Sequence, residues 1–365
     1  MFAENRKISL RQLQVLLLLD CFGTAILFLP AELAQMRGKG CWTAALAGGG
    51  AFILVSFLLA EVGKRNPDGT VAEWSRGAFG YILGTVILLG LGGKLLFDGM
   101  LELRLFSEIV CRAMLPNTPV WVISLTVLAV AALLAVQGTE CRGRAAELLF
   151  FAVAIPLVAV LLAVAVSAEY GRVRPVELPS FLGVRDGVFA MSTVFQGLTF
   201  LYFVFPEVRK PEKAPEAVAR SSAVTTITVA LIVFLSLAVY GEGVLAGKLL
   251  PTLQMMERVS FTGVFLTRQD VLLLWFWMAS VCVFLSGILS YGTVLGMKIC
   301  RWKNTDRTKW LWFCLLLLFA ASFLPENLSA AYRLRLRVAP WLNLLYLVIL
   351  SAALLLRGKG GGVDA

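Results

Sequence analysis

Apolar runs of about twenty residues recur along the whole chain, and they restrict its fold more than any other feature. A helix of about 20 residues crosses the roughly 30 Å hydrocarbon core of a bilayer. Hydrophobic residues make up 59% of the chain and charged residues 15%, against about 25% charged in soluble domains. The pattern predicts an all-α integral membrane protein that forms one polytopic domain, 1–365, in the cell membrane.

Ten transmembrane helices, joined by short polar connections, account for these runs. The expected helices cover residues 9–35, 41–62, 80–112, 119–137, 145–168, 186–207, 218–240, 268–299, 309–325 and 338–357. Lys and Arg are more frequent in the connections on the N-terminal side, notably in KICRWKNTDRTK at 298–309. Because cytoplasmic loops carry the excess of Lys and Arg, we expect both termini in the cytoplasm.

Charge and residue usage narrow the class of function. The net charge of +10 is explained by membrane topology, so the lipid bilayer is the expected partner and nucleic acid is not. The chain has no histidine, which removes the common Ser-His and Cys-His catalytic pairs and histidine metal ligands. The seven cysteines show no CxxC spacing. We expect no enzymatic activity, no cofactor and no metal.

Segments one and six share an interruption at corresponding positions of the two halves. Segment one contains LDCFGTAILFLP (19–30), and segment six contains MSTVFQGLTFLYFVFP (191–206). In each, a glycine next to polar residues lies near mid-depth and a proline follows. Matched broken helices are typical of transporters built from inverted repeats, here a LeuT-like fold, and the freed backbone groups bind a substrate or ion.

Close helix packing is the alternative explanation for a single such glycine, but the matched pair favours a binding site. A carboxylated nutrient would find free backbone N–H groups and positive helix ends there. The expected substrate-binding residues are Cys21, Phe22, Gly23, Thr24, Phe195, Gln196, Gly197 and Thr199.

Ionisable residues inside the third segment form a second group of candidates. They are Lys94, Asp98, Glu102, Arg104 and Glu108, and they fall within an arc of about 160° at 100° per residue. Such groups cost at least about 2.5 kcal/mol each in a membrane and by default mark a functional path. Lys94 and Asp98 are one turn apart and can pair, with coupling and structural roles both open. For Arg104 and Glu108, snorkelling at the outer end is the favoured interpretation.

Two carboxylates outside the third segment complete the set. Asp20 lies too deep in segment one to snorkel, so it faces a cavity, pairs with a basic residue such as Lys94, or is protonated. Glu147 follows Arg142 and Arg144 near the expected start of segment five. Its position is typical of an interfacial carboxylate at a helix start.

In this order, the motifs of the chain resemble those of the spore-germination permease family, the integral-membrane B subunit of endospore germinant receptors. The motifs are ISLRQLQ (8–14), GTAILFLP (23–30), Cys41-Trp42, NPDGTVAEWSRGAFG (66–80), LRLFSEIV (103–110), LPNTP (115–119), GTECRGRAAELLF (138–150) with Pro156, FQGLTFLYFVFPEVRKPEK (195–213), LLPTLQMMERV (249–259), TRQDVLLLWFW (267–277) and LPEN (324–327). That family is similar to the amino acid–polyamine–organocation transporters of the LeuT-type fold. The sequence departs from it in two places, with Gly197-Leu198-Thr199 where Gly-x-Glu is common and Thr267-Arg268 where an acidic residue often precedes the arginine.

The resemblance implies a germinant-receptor subunit that binds a small nutrient, with an amino acid expected, and helps to trigger spore germination from the spore inner membrane. The implied partners are a membrane subunit with a soluble domain and a lipoprotein subunit. A proton-coupled amino acid symporter is the alternative. A membrane enzyme would need a nucleophile–base pair, which the sequence does not offer.

Overall fold

The computed structural model describes residues 7–257, 269–301 and 307–357, and these are almost entirely helical. The helices are α1 (Leu10–Cys21), α2 (Ala25–Arg37), α3 (Cys41–Arg65), α4 (Val71–Phe79), α5 (Tyr81–Ala113), α6 (Val120–Val136), α7 (Thr139–Ser167), α8 (Phe181–Val194), α9 (Leu201–Val204), α10 (Ala214–Tyr240), α11 (Glu242–Ala246), α12 (Pro251–Glu257), α13 (Gln269–Cys300), α14 (Arg307–Ala321), α15 (Leu328–Asn343) and α16 (Ser351–Arg357). Thr267-Arg268 and part of the 298–309 basic cluster lie outside the described residues.

Within the described residues, seven helical stretches are long and apolar enough to cross a membrane, and Val120–Val136 is a shorter apolar helix. One of the seven, Ala25–Arg65, joins the second half of segment one to segment two. The all-α membrane class is therefore confirmed, whereas the exact number of ten helices stays a prediction.

Segments one and six are both interrupted, as expected. Segment one is divided into α1 and α2 by three residues, 22–24. Segment six begins at Phe181, winds as a 3₁₀-helix over Phe195–Phe200, and continues through α9 into a second 3₁₀ turn, Phe205–Glu207. The interruption of segment six is thus a tightening of the helix rather than a gap.

Two expected boundaries are wrong, in both cases because buried arginines lie inside a helix. Segment five begins at Thr139, so Arg142 belongs to α7 and not to a loop. Segment ten begins at Leu328, where Asn327 caps the helix by accepting a bond from the Ala330 amide (2.9 Å). Charge alone suggested loops, but pairing and capping stabilise helices there.

The connections gather at two ends of the bundle. At one end, the backbone of Ile8 pairs with that of Val208, and Lys298 reaches Glu73 of α4 (2.6 Å). At the other end, the Lys39 ammonium donates to the carbonyl of Arg174 (2.9 Å). Sequence analysis assigned these contacts to the same two sides of the membrane. The cytoplasmic orientation of the first end stays a prediction.

Candidate functional site

The gap in segment one leaves backbone groups without helical partners. Cys21 ends α1, the Phe22 amide turns back to the Leu19 carbonyl (3.1 Å), and α2 begins after Thr24. Thr24 and Cys21 are buried. Away from water, each freed N–H and C=O needs a partner.

Glu102 of α5 supplies the acceptor for this gap. Its Oε1 accepts the Thr24 backbone N–H (2.7 Å) and the Thr24 hydroxyl (2.6 Å). A Cβ placed on Gly23 would lie 2.9 Å from the same Oε1. Glycine at 23 thus leaves room for the carboxylate to approach the backbone. The space that sequence analysis assigned to a ligand holds a side chain of the protein.

Ser280 of α13 is the hydrogen-bond donor to the carbonyl groups of the same gap. Its hydroxyl oxygen lies 2.6 Å from the carbonyl oxygens of both Leu19 and Phe22. The gap therefore has an acceptor from one neighbouring helix and a donor from another. Sequence analysis missed Ser280, because a serine in an apolar helix gives no signal until its neighbour is known.

The tightened part of segment six packs directly on segment one. A Cβ at Gly197 would lie 2.5 Å from the Asp20 carbonyl oxygen, and the Cys21 thiol contacts the backbone of Gly197. Phe195 stacks on Phe52, with ring centroids 5.2 Å apart. The two interruptions are therefore in contact.

Glu102 also joins the two interruptions through side chains. The amide nitrogen of Gln196 donates to Glu102 Oε2, at a long 3.3 Å. Gln196 and Thr199 are both buried. Glu102 therefore contacts Thr24 of segment one and Gln196 of segment six.

Lys94 and Asp98 form an ion pair inside α5, and both side chains are fully buried. The Lys94 ammonium also donates to Thr199 Oγ1 (2.9 Å). This contact places the cation at the position where the family commonly carries a carboxylate.

Asp20 pairs with Arg142 rather than with Lys94. One guanidinium nitrogen of Arg142 lies 3.1 and 3.3 Å from the two Asp20 oxygens, and both side chains are buried. The same arginine donates to the Ser286 hydroxyl (2.8 Å) and to the Val283 carbonyl (3.1 Å). One guanidinium therefore links α1, α7 and α13, a role that a rigid fork of donors suits. Of the three alternatives expected for Asp20, a cavity, a basic partner and protonation, the structure shows a basic partner, which is Arg142 and not the suggested Lys94.

The remaining expected charges lie away from the interruptions. Arg104 and Glu108 pair at 2.8 Å, and Arg104 also donates to the Glu326 carbonyl (2.7 Å). They are largely buried, so protein contacts hold them rather than snorkelling. Glu147 is partly exposed and lies 3.6 Å from Arg11, so its environment is interfacial.

Some buried charged side chains have atoms without a hydrogen-bond partner. Among the described residues, both terminal nitrogens of Arg335 lack a partner, as do Glu32 Oε1 and Asp98 Oδ1. Arg335 interacts electrostatically with both carboxylates. Unsatisfied buried polar groups point to a ligand or to water. Sequence analysis placed Arg335 in a loop and missed it.

The interior is closed around the first interruption. The cavity that borders Gly23, Phe22 and Trp277 measures about 10 Å³, about the space that one water molecule needs. A nutrient would therefore require movement of the surrounding side chains or helices.

The chain is similar to known proteins in sequence and in fold. A family model described as spore germination protein matches residues 7–331. The spore germination protein YndE of Bacillus subtilis (strain 168) is 27% identical over 282 residues, which are 76% of this chain and 77% of YndE. Spore germination protein B2 of the same organism is 22% identical over 336 residues, 90% of this chain and 89% of the relative.

The fold also has a solved counterpart. The crystal structure of MhsT in complex with L-phenylalanine covers 95% of this chain and 98% of its own, with a TM-score of 0.62 and 13% identity. At that identity the likeness concerns the fold, which is LeuT-like. The match of the family model over residues 7–331, most of the chain, shows that the chain belongs to the spore germination permease family.

Proposed function

We propose that this chain is the membrane subunit of a spore germinant receptor, acting as a single membrane domain that binds an amino acid nutrient where segments one and six meet. The observation that carries the proposal is the contact of two interrupted helices around buried polar groups in a protein of this family. A broken-helix site near mid-membrane is where LeuT-like proteins bind small ligands.

Amino acids fit the charges near this site. Arg335 has two unpaired guanidinium nitrogens, while Glu32 and Asp98 each have an unpaired oxygen. A zwitterion carries both a carboxylate for the arginine and an ammonium for a carboxylate. The structural neighbour described in complex with L-phenylalanine supports the same ligand class.

Signalling to other receptor subunits, one with a soluble domain and one a lipoprotein, is part of the same proposal. A deletion strain should lose its response to a subset of nutrients, and a germination assay against a nutrient panel identifies that subset. An unchanged response to every nutrient would contradict the receptor role.

Replacing Gly23 tests the position of the site. Gly23→Leu should abolish the nutrient response while the protein stays in the membrane at its normal level, because any side chain at 23 meets Glu102. Gly50→Leu is the matched control, since a Cβ at Gly50 meets no atom within 4 Å. A normal response from the Gly23 variant would place the binding site elsewhere.

A proton-coupled amino acid symporter is the second candidate, favoured by the buried carboxylates of the core, Asp20, Glu32, Asp98 and Glu102. Such groups serve as proton relays in pumps and transporters. Uptake of labelled amino acids into proteoliposomes, driven by a proton gradient, separates the two functions. Uptake above that of empty vesicles would favour the symporter, and binding without uptake would favour the receptor.

A further inference from the structure

Glu102 occupies the place that sequence analysis reserved for the carboxylate of a nutrient. Its Oε1 takes both donors of Thr24, at 2.7 and 2.6 Å, and glycine at 23 leaves room for this contact. These are the interactions that a bound carboxylate makes at the start of a helix. Here the carboxylate belongs to the chain itself.

The charge of Glu102 is compensated by the interruption rather than by a basic side chain. Glu102 is buried, 2% exposed, and none of the ion pairs among the described residues includes it. Its shortest hydrogen bonds come from a backbone N–H and a hydroxyl beside the first turn of α2, where the helix dipole is positive. A buried carboxylate needs such donors.

We propose that Glu102 is a built-in carboxylate ligand of the segment-one interruption, so that this interruption receives the ammonium group of a nutrient rather than its carboxylate. The proposal rests on the proposed function for the existence of a nutrient, but not for the role of Glu102 in the resting protein.

The second oxygen of Glu102 is the one available to a ligand. Oε1 is used by Thr24, whereas Oε2 has a long contact of 3.3 Å with the Gln196 amide. An ammonium can displace that weak contact and form a shorter, charge-assisted bond. A second carboxylate in the same place would face the carboxylate of Glu102 at close range, which is unfavourable.

Removing the side chain should convert the interruption into an acetate site. The Glu102→Ala variant exposes the Thr24 donors, and free acetate can then replace the lost carboxylate. With the purified full chain in detergent, about 100 mM sodium acetate should raise the Tm of this variant by about 2–5 °C, relative to sodium chloride at the same concentration and pH.

Two controls separate this rescue from a general salt effect. The wild-type chain should not respond to acetate, because a tethered carboxylate competes at high effective concentration. Glu102→Gln, which still places an amide oxygen beside Thr24, should not respond either. Methylammonium chloride, with the opposite charge, should not stabilise Glu102→Ala.

These outcomes test the role of Glu102 in the resting protein without any nutrient. A saturable acetate effect confined to Glu102→Ala supports the proposal, and so does a variant that can be purified only when acetate is present. If Glu102→Ala folds without responding to acetate, or if acetate fails to recover it while Glu102→Gln folds normally, the proposal is wrong. Neither result depends on the germination assays, so the proposed function is judged separately.

Discussion

The two interruptions differ in how they satisfy the backbone. In segment one the helix stops, and side chains from two other helices, Glu102 and Ser280, take up the released amide and carbonyl groups. In segment six the chain keeps turning as a 3₁₀-helix over Phe195–Phe200 and so retains local hydrogen bonds. The backbone groups of segment one therefore depend on side chains of neighbouring helices, whereas those of segment six form hydrogen bonds within the segment.

The glycines at the two interruptions differ in the same way. Gly23 leaves space for the far end of a side chain, Glu102 Oε1, while Gly197 leaves space for backbone, the Asp20 carbonyl. A side chain can rotate away, but a packed backbone cannot without moving its helix. Segment six therefore packs rigidly on segment one, whereas the contact at Gly23 can adjust.

The largest effect is expected at Arg142, because its guanidinium holds the end of α1 beside segment six. It binds Asp20 and also lies over the Phe200 ring, 5.5 Å from its centroid. Arg142→Met leaves Asp20 buried without its cation and should lower the free energy of unfolding by about 3–5 kcal/mol. Thermal unfolding and yield in detergent measure this loss.

The matched control removes both charges. Asp20→Asn combined with Arg142→Met leaves no isolated buried charge and should be less damaging than Arg142→Met alone. Should the double variant lose as much stability as the two single variants together, the pair is not coupled, and Arg142 acts through its other contacts.

The sequence predicted the two interruptions but not the side chains that bind them. The glycine, threonine and proline pattern was sufficient for the existence and position of both interruptions, because it depends on local backbone preference. The partners Glu102, Ser280 and Arg142 come from helices distant in sequence, at separations of 78, 261 and 122 residues. A local sequence pattern does not show how distant helices are positioned against one another. It therefore could not predict which polar side chain faces which gap.

The positions of two arginines, Arg142 and Arg335, were predicted wrongly. Sequence analysis treated them as loop residues because charge usually marks a helix end in membranes. Both are buried within helices. A single sequence shows the cost of burying such a charge but not the carboxylates that compensate for it.

A smaller effect is expected from alanine at the two glycines, and it tests the difference between them directly. Gly197→Ala forces a Cβ to 2.5 Å from backbone, whereas Gly23→Ala meets a carboxylate oxygen at 2.9 Å. Overpacking against backbone should cost about 1–3 kcal/mol, and the Gly23 variant should lose less. Melting temperatures of the two variants, measured side by side, provide the comparison.

The nutrient response should change in the reverse order, more in Gly23→Ala than in Gly197→Ala. Gly23→Ala displaces Glu102 and should shift the nutrient response at nearly normal stability. Gly197→Ala should alter the response only as far as it lowers the amount of folded protein. If Gly23→Ala is the less stable variant, segment one and not segment six is the more rigid interruption, and the comparison is wrong.

The smallest effect is expected at the threonines, one of which lies at each interruption. Thr24 donates its hydroxyl to Glu102 (2.6 Å), and Thr199 accepts from Lys94 (2.9 Å). Valine has nearly the same shape, so Thr24→Val and Thr199→Val each remove one hydrogen bond to a charged group and should cost about 1–2 kcal/mol. The Thr199 variant should lie at the low end, because Lys94 keeps its ion pair with Asp98. Glu102 has no such basic partner among the described ion pairs. It therefore depends more on its hydrogen bonds from Thr24, so the Thr24 variant should lose more stability. Equal losses at both positions, measured by thermal unfolding in one detergent, would show that the two interruptions share the stabilisation of the core evenly.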